Sequence, residues 1–222
     1  MTPPNPPTPP GMLTTLAELR ALYGPTGARS AKKALPELDA HARHFIALSP
    51  FVVIASAHAE SGELDASPRG GQAGFVHALD VHTLLMPDAP GNNRLDTLEN
   101  IVSHGARGAP VGLLFMVPGV DETLRVNGRA GVSVSEGERQ LCMEEGGRVP
   151  KLVVRIAVES AYLHCAKAFM RSGLWDSASQ VNRKAAMPSM GEMLRDQLRE
   201  FHGETVPAET QDEMVARYRQ TL

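Results

Sequence analysis

The chain has 222 residues, 42% of them hydrophobic and 21% charged, and a formal net charge of -3. That length accommodates one domain with a sizeable core, and the near-neutral balance gives no reason to expect nucleic acid or an anionic membrane as a partner. No run approaches the ~18 apolar residues of a membrane span, and the N-terminus lacks the basic and apolar regions of a secretion signal. Two cysteines, Cys142 and Cys165, do not make a disulfide framework, so a reducing cytoplasm is the expected location.

Six prolines between Pro3 and Pro10 disfavour helix and sheet alike, and residues 1–11 are expected to be a disordered, PPII-like tail. Leu13, Leu16, Leu19 and Leu22 recur at helical spacing, Thr15 and Glu18 form a capping box, and Gly24-Pro25 stops the helix. A second helix is expected from Ser30 to Leu48, with Leu35, Leu38, Ala42, Phe45 and Ile46 on one side and Ser49-Pro50 as its end. The period then changes. Phe51–Ser56, Glu63–Ser67, Phe75–Asp80, Thr83–Met86, Val111–Val117, Glu122–Ser135 and Lys151–Tyr162 read as strands, with short helices at Asp96–Val102 and His164–Ser172. Gly128 and Gly131 are candidate bulge points. Val154, Ile156, Val158 and Tyr162 are expected on one face of the last strand. A polar stretch, Glu136–Gly147, reads as a short helix or loop. Amphipathic helices are expected at Met190–Phe201 and Thr210–Tyr218. Consecutive strands with short turns favour an antiparallel sheet or barrel with flanking helices, an α+β fold that is mainly antiparallel β.

Four polar segments can carry chemistry. Ser67-Pro68-Arg69-Gly70-Gly71 reads as a turn leaving a strand. Its glycines permit close backbone approach, and Arg69 offers a planar fork of donors suited to phosphate. A plain exposed turn is the bland alternative. The run from Pro87-Asp88 through Asn93-Arg94-Leu95-Asp96 combines turn residues with a helix start. Asn93 as N-cap and Arg94 as cation would suit an anion; ordinary capping is the alternative. Along Glu122–Ala130, one face carries Arg125, Asn127 and Arg129, which either meet solvent or face a charged ligand or partner. His164, Lys167 and Arg171 would share one helical face, a basic stripe for phosphate or carboxylate, or simply cations complementing a helix C-terminus. No P-loop, GxGxxG, HExxH or GxSxG occurs, and the histidines and cysteines lack metal-ligand spacing, so a metal site is not expected.

Taken in order, Ser49-Pro50-Phe51, Asp65-Ala66-Ser67-Pro68-Arg69-Gly70, Gly74-Phe75-Val76, Pro87-Asp88 with Gly91–Leu98, Leu113-Leu114-Phe115 with Pro118-Gly119, Glu122–Ala130, and His164–Ala168 with Arg171-Ser172 and Leu174-Trp175 resemble the pyridoxamine 5′-phosphate oxidase-like flavoproteins. The likeness is to a bacterial FMN-dependent oxidase-type subgroup. It spans about residues 30–176. The resemblance implies an FMN-binding split β-barrel that forms a homodimer, with FMN in clefts at the subunit interface. It implies Ser67, Pro68, Arg69, Gly70, Asp88, Asn93, Arg94, Arg125, Lys167 and Arg171 as cofactor-binding residues. Arg69 would contact the FMN phosphate, and Asn93-Arg94 would stand in the phosphate cradle. Leu95 occupies the position where the oxidase has a lysine, and Lys167 or Arg171 would replace that cation. The oxidase's C-terminal Arg-Leu-x-Pro signature is absent, which argues against pyridoxamine 5′-phosphate oxidase activity itself.

The resulting expectation is an FMN-dependent oxidoreductase acting on an unidentified small molecule. The alternatives are a non-catalytic FMN-binding protein, a split barrel holding haem or a deazaflavin, and a purely structural dimer. The expected domain organisation is a tail over 1–11, a split-barrel domain over 12–176 and a helical C-terminal extension over 177–222.

Overall fold

The computed structural model describes residues 9–143 and 147–220. The expected tail therefore lies largely outside the described residues, as does part of the Glu136–Gly147 segment. The chain divides between Ala34 and Leu35 into two compact units.

The first unit contains α1 (Leu16–Tyr23) and α2 (Ala28–Ala31). The Thr15 hydroxyl accepts from the Glu18 N–H while the Glu18 carboxylate accepts from the Thr15 N–H, so the expected capping box forms. Gly24 closes α1 at φ 69°. The single long helix expected over Ser30–Leu48 is not present. Leu35, which precedes Pro36, is pushed out of the α region and instead bridges Ala161 in antiparallel fashion. A new helix, α3 (Ala40–Leu48), begins after Asp39, whose carboxylate accepts from the Ala42 N–H at 2.7 Å.

The second unit, Leu35–Leu222, is built on seven strands among the described residues. These are β1 (Phe51–Ala57), β2 (Leu64–Gly70), β3 (His77–Ala78), β4 (Thr83–Pro87), β5 (Ala109–Met116), β6 (Thr123–Ser133) and β7 (Val153–His164). They form one sheet in the order β2-β1-β5-β6-β7-β4-β3, with every neighbouring pair antiparallel. Helices α4 (Asp96–Ser103), α5 (Glu136–Leu141), α6 (Lys167–Ser172), α7 (Arg183–Ala186), α8 (Met190–His202) and α9 (Gln211–Tyr218) complete the unit. The strand expected over Phe75–Asp80 shrinks to two residues, because Phe75 and Val76 enter the core as loop residues.

Alternation along the strands sends one face inward. Val52 and Ile54 of β1, Val111, Leu113 and Phe115 of β5, Leu124 and Val126 of β6, and Ile156 of β7 join Leu38, Ala42 and Ile46 beneath α3 and Leu98 and Ile101 of α4 in one apolar core. A smaller cluster of Leu85, Cys142 and Val153 covers the other face of β4.

The register of β6 against β7 slips between Asn127 and Gly128. Asn127 faces Ser160 while Gly128 faces Val158, which leaves Glu159 as the extra residue of a bulge. That bulge reverses the side-chain parity of β7. Val154, Ile156 and Val158 point inward as expected, but beyond the bulge Ala161 takes the inward place, and Tyr162 moves to the opposite face opposite Arg125. Only glycine fits at 128, since a Cβ there would run into the Ala157 carbonyl.

The edge strands β2 and β3 lie at opposite ends of the strand order. Even so, Arg69 of β2 reaches Asp88, just beyond β4. The sheet therefore curls until its two ends approach across a seam. The result is a split β-barrel of the α+β class, as expected.

Candidate functional site at the barrel seam

β2 extends through Gly70, so Ser67-Pro68-Arg69-Gly70 is part of a strand and not the turn the sequence suggested. Pro68 is tolerated there because β2 is an edge strand paired with β1 alone. Asp65, Ser67 and Arg69 sit opposite Ser56, Ile54 and Val52, and all three are half-buried on the inward face. Leu64, Ala66, Pro68 and Gly70 are exposed on the outer one.

This inward polar row organises the seam. The Ser67 hydroxyl donates to both oxygens of Asp65, at 2.9 and 3.0 Å. The Thr97 hydroxyl of α4 donates to Asp65 Oδ2 at 2.5 Å. The amide of Asn100 donates to the Ser56 hydroxyl at 3.0 Å, which gives α4 a second tie to the sheet. Arg94 lies close enough for Asp65 to act on it, although its main partner is Asp96, at 2.9 Å from Nε. The Asp96 contact holds the Arg94 guanidinium above its ordinary pKa, with Asp65 adding to the effect.

Arg69 is the least satisfied group in the row. Its Nη1 reaches Asp88 Oδ1 at 3.4 Å, with the two side chains only 24% and 19% exposed. Its Nε is buried and has no hydrogen-bond partner among the described residues. A buried N–H left unmade costs roughly 1–3 kcal/mol, so this edge of the guanidinium is poised to receive an acceptor. Asp88 sits above its ordinary pKa because burial outweighs the opposing pull of Arg69 and Lys151.

The start of α4 differs from expectation. Asn93 is not the N-cap. Leu95 holds that place at φ 62° with no side-chain capping bond, and Asn93 is also left-handed at φ 62°. Asn92 takes the local role, accepting from the Arg94 N–H at 3.1 Å. The first-turn N–H groups of α4 are thus not occupied by a capping side chain, next to Arg94.

The other expected residues lie apart from this row within one chain. Arg125 projects from the outer face, donates to the Tyr162 hydroxyl at 3.0 Å, and lies over that ring at 5.6 Å from its centroid. Asn127 donates to Ser160 at 3.3 Å on the same face. Arg129 pairs with Glu159 at 3.3 Å. His164 does not share a helical face with Lys167 and Arg171, because β7 continues through His164 and α6 begins only at Lys167. Lys167 and Arg171 are exposed on α6 and form no ion pair with a described residue. Asp65 and Thr97 were absent from the expected site set. The D-x-S-x-R period of two in β2 was a legible signal for Asp65; the reach of Thr97 across from α4 was not.

The family model described as pyridoxamine 5′-phosphate oxidase matches residues 38–165, which takes in all seven strands and α4. The chain belongs to the pyridoxamine 5′-phosphate oxidase family. It is similar in structure to a histidine-to-alanine variant of HupZ from Group A Streptococcus, at 18% identity over 57% of this chain and 99% of that one (TM-score 0.45). A likeness of 21% identity, over 59% and 98% of the two chains (TM-score 0.43), links it to a putative pyridoxamine 5′-phosphate oxidase of Lactobacillus delbrueckii. A third, to a putative pyridoxamine 5′-phosphate oxidase of Listeria innocua, has 15% identity over 55% and 91% (TM-score 0.36). No curated protein matches the chain. Among the described residues, no group of acidic, histidine and cysteine side chains is placed to hold a metal ion, and no helix is long and apolar enough to cross a membrane.

Proposed function

We propose that this family member binds FMN at the barrel seam and acts as an FMN-dependent oxidoreductase on a small molecule. The observation that carries the reading is the buried, unpartnered Nε of Arg69 at the place where the two ends of the sheet meet. A phosphate monoester supplies the oxygen acceptors that this edge lacks, and arginine–phosphate hydrogen bonds are of the strong, charge-assisted kind. Arg94 and the open N–H groups at the start of α4 add a second anion-stabilising element beside Asn93. Ser67, Pro68 and Gly70 would pass the ligand along β2, with the Asp65–Thr97 bond keeping α4 and β2 in register. When bound, the flavin would supply the electron-transfer chemistry, and the protein would supply binding, orientation and exclusion of water.

The outer face supports a homodimer. Phe51 and Val53 of β1 and Leu114 and Met116 of β5 form a half-exposed apolar strip that continues toward Asn127 and Arg125. A second copy laid there would add its own Arg125, Lys167 and Arg171 to the basic residues of the first.

An absorbance spectrum after addition of FMN and gel filtration tests the cofactor. Retained flavin absorbance, lost in Arg69→Ala and weakened in Arg94→Ala, is the expected outcome. Absence of retained flavin in the wild type refutes the reading, and a Soret band in the purified protein would replace it with a haem site. Oxidation of NAD(P)H with an added electron acceptor separates an oxidoreductase from a flavin-binding protein without turnover.

A further inference from the structure

We propose that Asp88 selects the charge state in which the seam accepts its phosphate monoester: entry at Arg69 is coupled to uptake of one proton by the Asp88–phosphate pair. The inference rests on the reading of Arg69 as the phosphate ligand. Asp88 already holds one nitrogen of the Arg69 guanidinium, Nη1, at 3.4 Å. The unpartnered Nε belongs to the same planar group. An anion on Nε and the Asp88 carboxylate on Nη1 therefore share one guanidinium, at different edges of it, and act on each other electrostatically.

Charge counting shows the conflict. The charged groups acting on Asp88 are Arg69 from β2 and Lys151 from the segment before β7. Its own backbone N–H is committed to the Leu152 carbonyl at 3.2 Å. Arg94 can offer the ligand hydrogen-bond donors but no net charge, since Asp96 matches it and Asp65 adds a further negative charge on the same side. A phosphate monoester carries about -1.5 to -2 at neutral pH. Together with ionised Asp88, that leaves roughly one negative charge in excess of the two facing cations, in a place partly shielded from water. One proton, taken up by the Asp88 carboxyl, removes the excess and with it the repulsion between the two anionic groups. Burial already holds the Asp88 carboxyl above its ordinary value before any ligand arrives.

The sign of the linkage follows. Phosphate raises the Asp88 pKa further, so the complex binds more protons than the free components, and affinity rises as pH falls through the window between the free and bound values. The asparagine variant keeps an acceptor oxygen for Arg69 and removes the charge. The experiment is titration of wild type and Asp88→Asn with FMN, followed by flavin fluorescence from pH 5.5 to 8.5, with riboflavin as the ligand lacking phosphate. Expected at pH 8 is roughly tenfold tighter FMN binding by Asp88→Asn, a change of about 1.4 kcal/mol. The gap should close toward the acid end and be absent for riboflavin. The second ionisation of free FMN, near pH 6, is common to both titrations and drops out of their ratio. Proton uptake on FMN binding in weakly buffered solution, seen in wild type and reduced in the variant, is the independent readout. Parallel pH profiles, or weaker FMN binding by Asp88→Asn at every pH, overturn the proposal while leaving FMN binding in place. Failure of wild type to bind FMN at any pH removes the underlying reading and this inference together.

Discussion

Replacing Thr97 by valine isolates the bond that joins α4 to the seam. Thr97 is 1% exposed, and its hydroxyl donates to Asp65 Oδ2 at 2.5 Å. Valine keeps the branched shape and removes the donor. Hydrogen bonds to a charged acceptor contribute about 1.5–3 kcal/mol. Asp65 retains the Ser67 hydroxyl after the change, and it is only half-buried, so water can restore part of the loss. The expected cost is therefore at the low end, about 1.5 kcal/mol. For a domain of this size that lowers the thermal midpoint by about 3–6 °C. Because α4 starts only two residues after Arg94, the same change should weaken FMN retention more than the stability loss alone would. Calorimetry gives the first quantity and flavin fluorescence the second. A cycle with Ser67→Ala measures whether the two hydroxyls act on Asp65 together. A midpoint within about one degree of wild type, well short of that shift, would show that Asp65 does not hold α4, and would refute the reasoning.

Two further outcomes follow from the packing. Gly128→Ala should destabilise the barrel by several kcal/mol, on the order of a severe core overpacking. The added methyl meets the Ala157 carbonyl at the β6–β7 bulge; chemical denaturation checks it, and a variant as stable as wild type would contradict the bulge. Burial, with Glu138 adding to it, pushes the Cys142 thiol up to about 11, whereas Cys165 is exposed. A thiolate reagent at about pH 8 should label Cys165 alone in the folded chain and both cysteines in denaturant. Rapid labelling of both without denaturant would refute the placement of Cys142 behind β4.

Local signals were sufficient for much of the fold. The Thr15–Glu18 capping box, the FVVIAS and VGLLFMV strands, the helix after Arg94 and the paired helices near the C-terminus all follow from spacing and turn chemistry between near neighbours, and each forms as read. Gly128 announced the bulge, because glycine in an alternating strand marks a close backbone approach. Pro36 is an equally local signal: it forces Leu35 out of the α region and so divides the single helix expected over Ser30–Leu48. Tertiary structure decided the rest. Which face Tyr162 takes depends on one unpaired residue, Glu159, and alternation along a strand carries no mark of a slip that arises only in pairing with β6. Whether Ser67-Pro68-Arg69 is turn or strand depends on β1 lying alongside it. The meeting of Arg69 with Asp88 depends on the curl of the whole sheet, since strands at nearly opposite ends of its order touch only when accumulated twist brings them round. The residue types at the seam were therefore set by sequence alone, but their juxtaposition, and the unpartnered nitrogen that makes them a site, exist only once the sheet has curled.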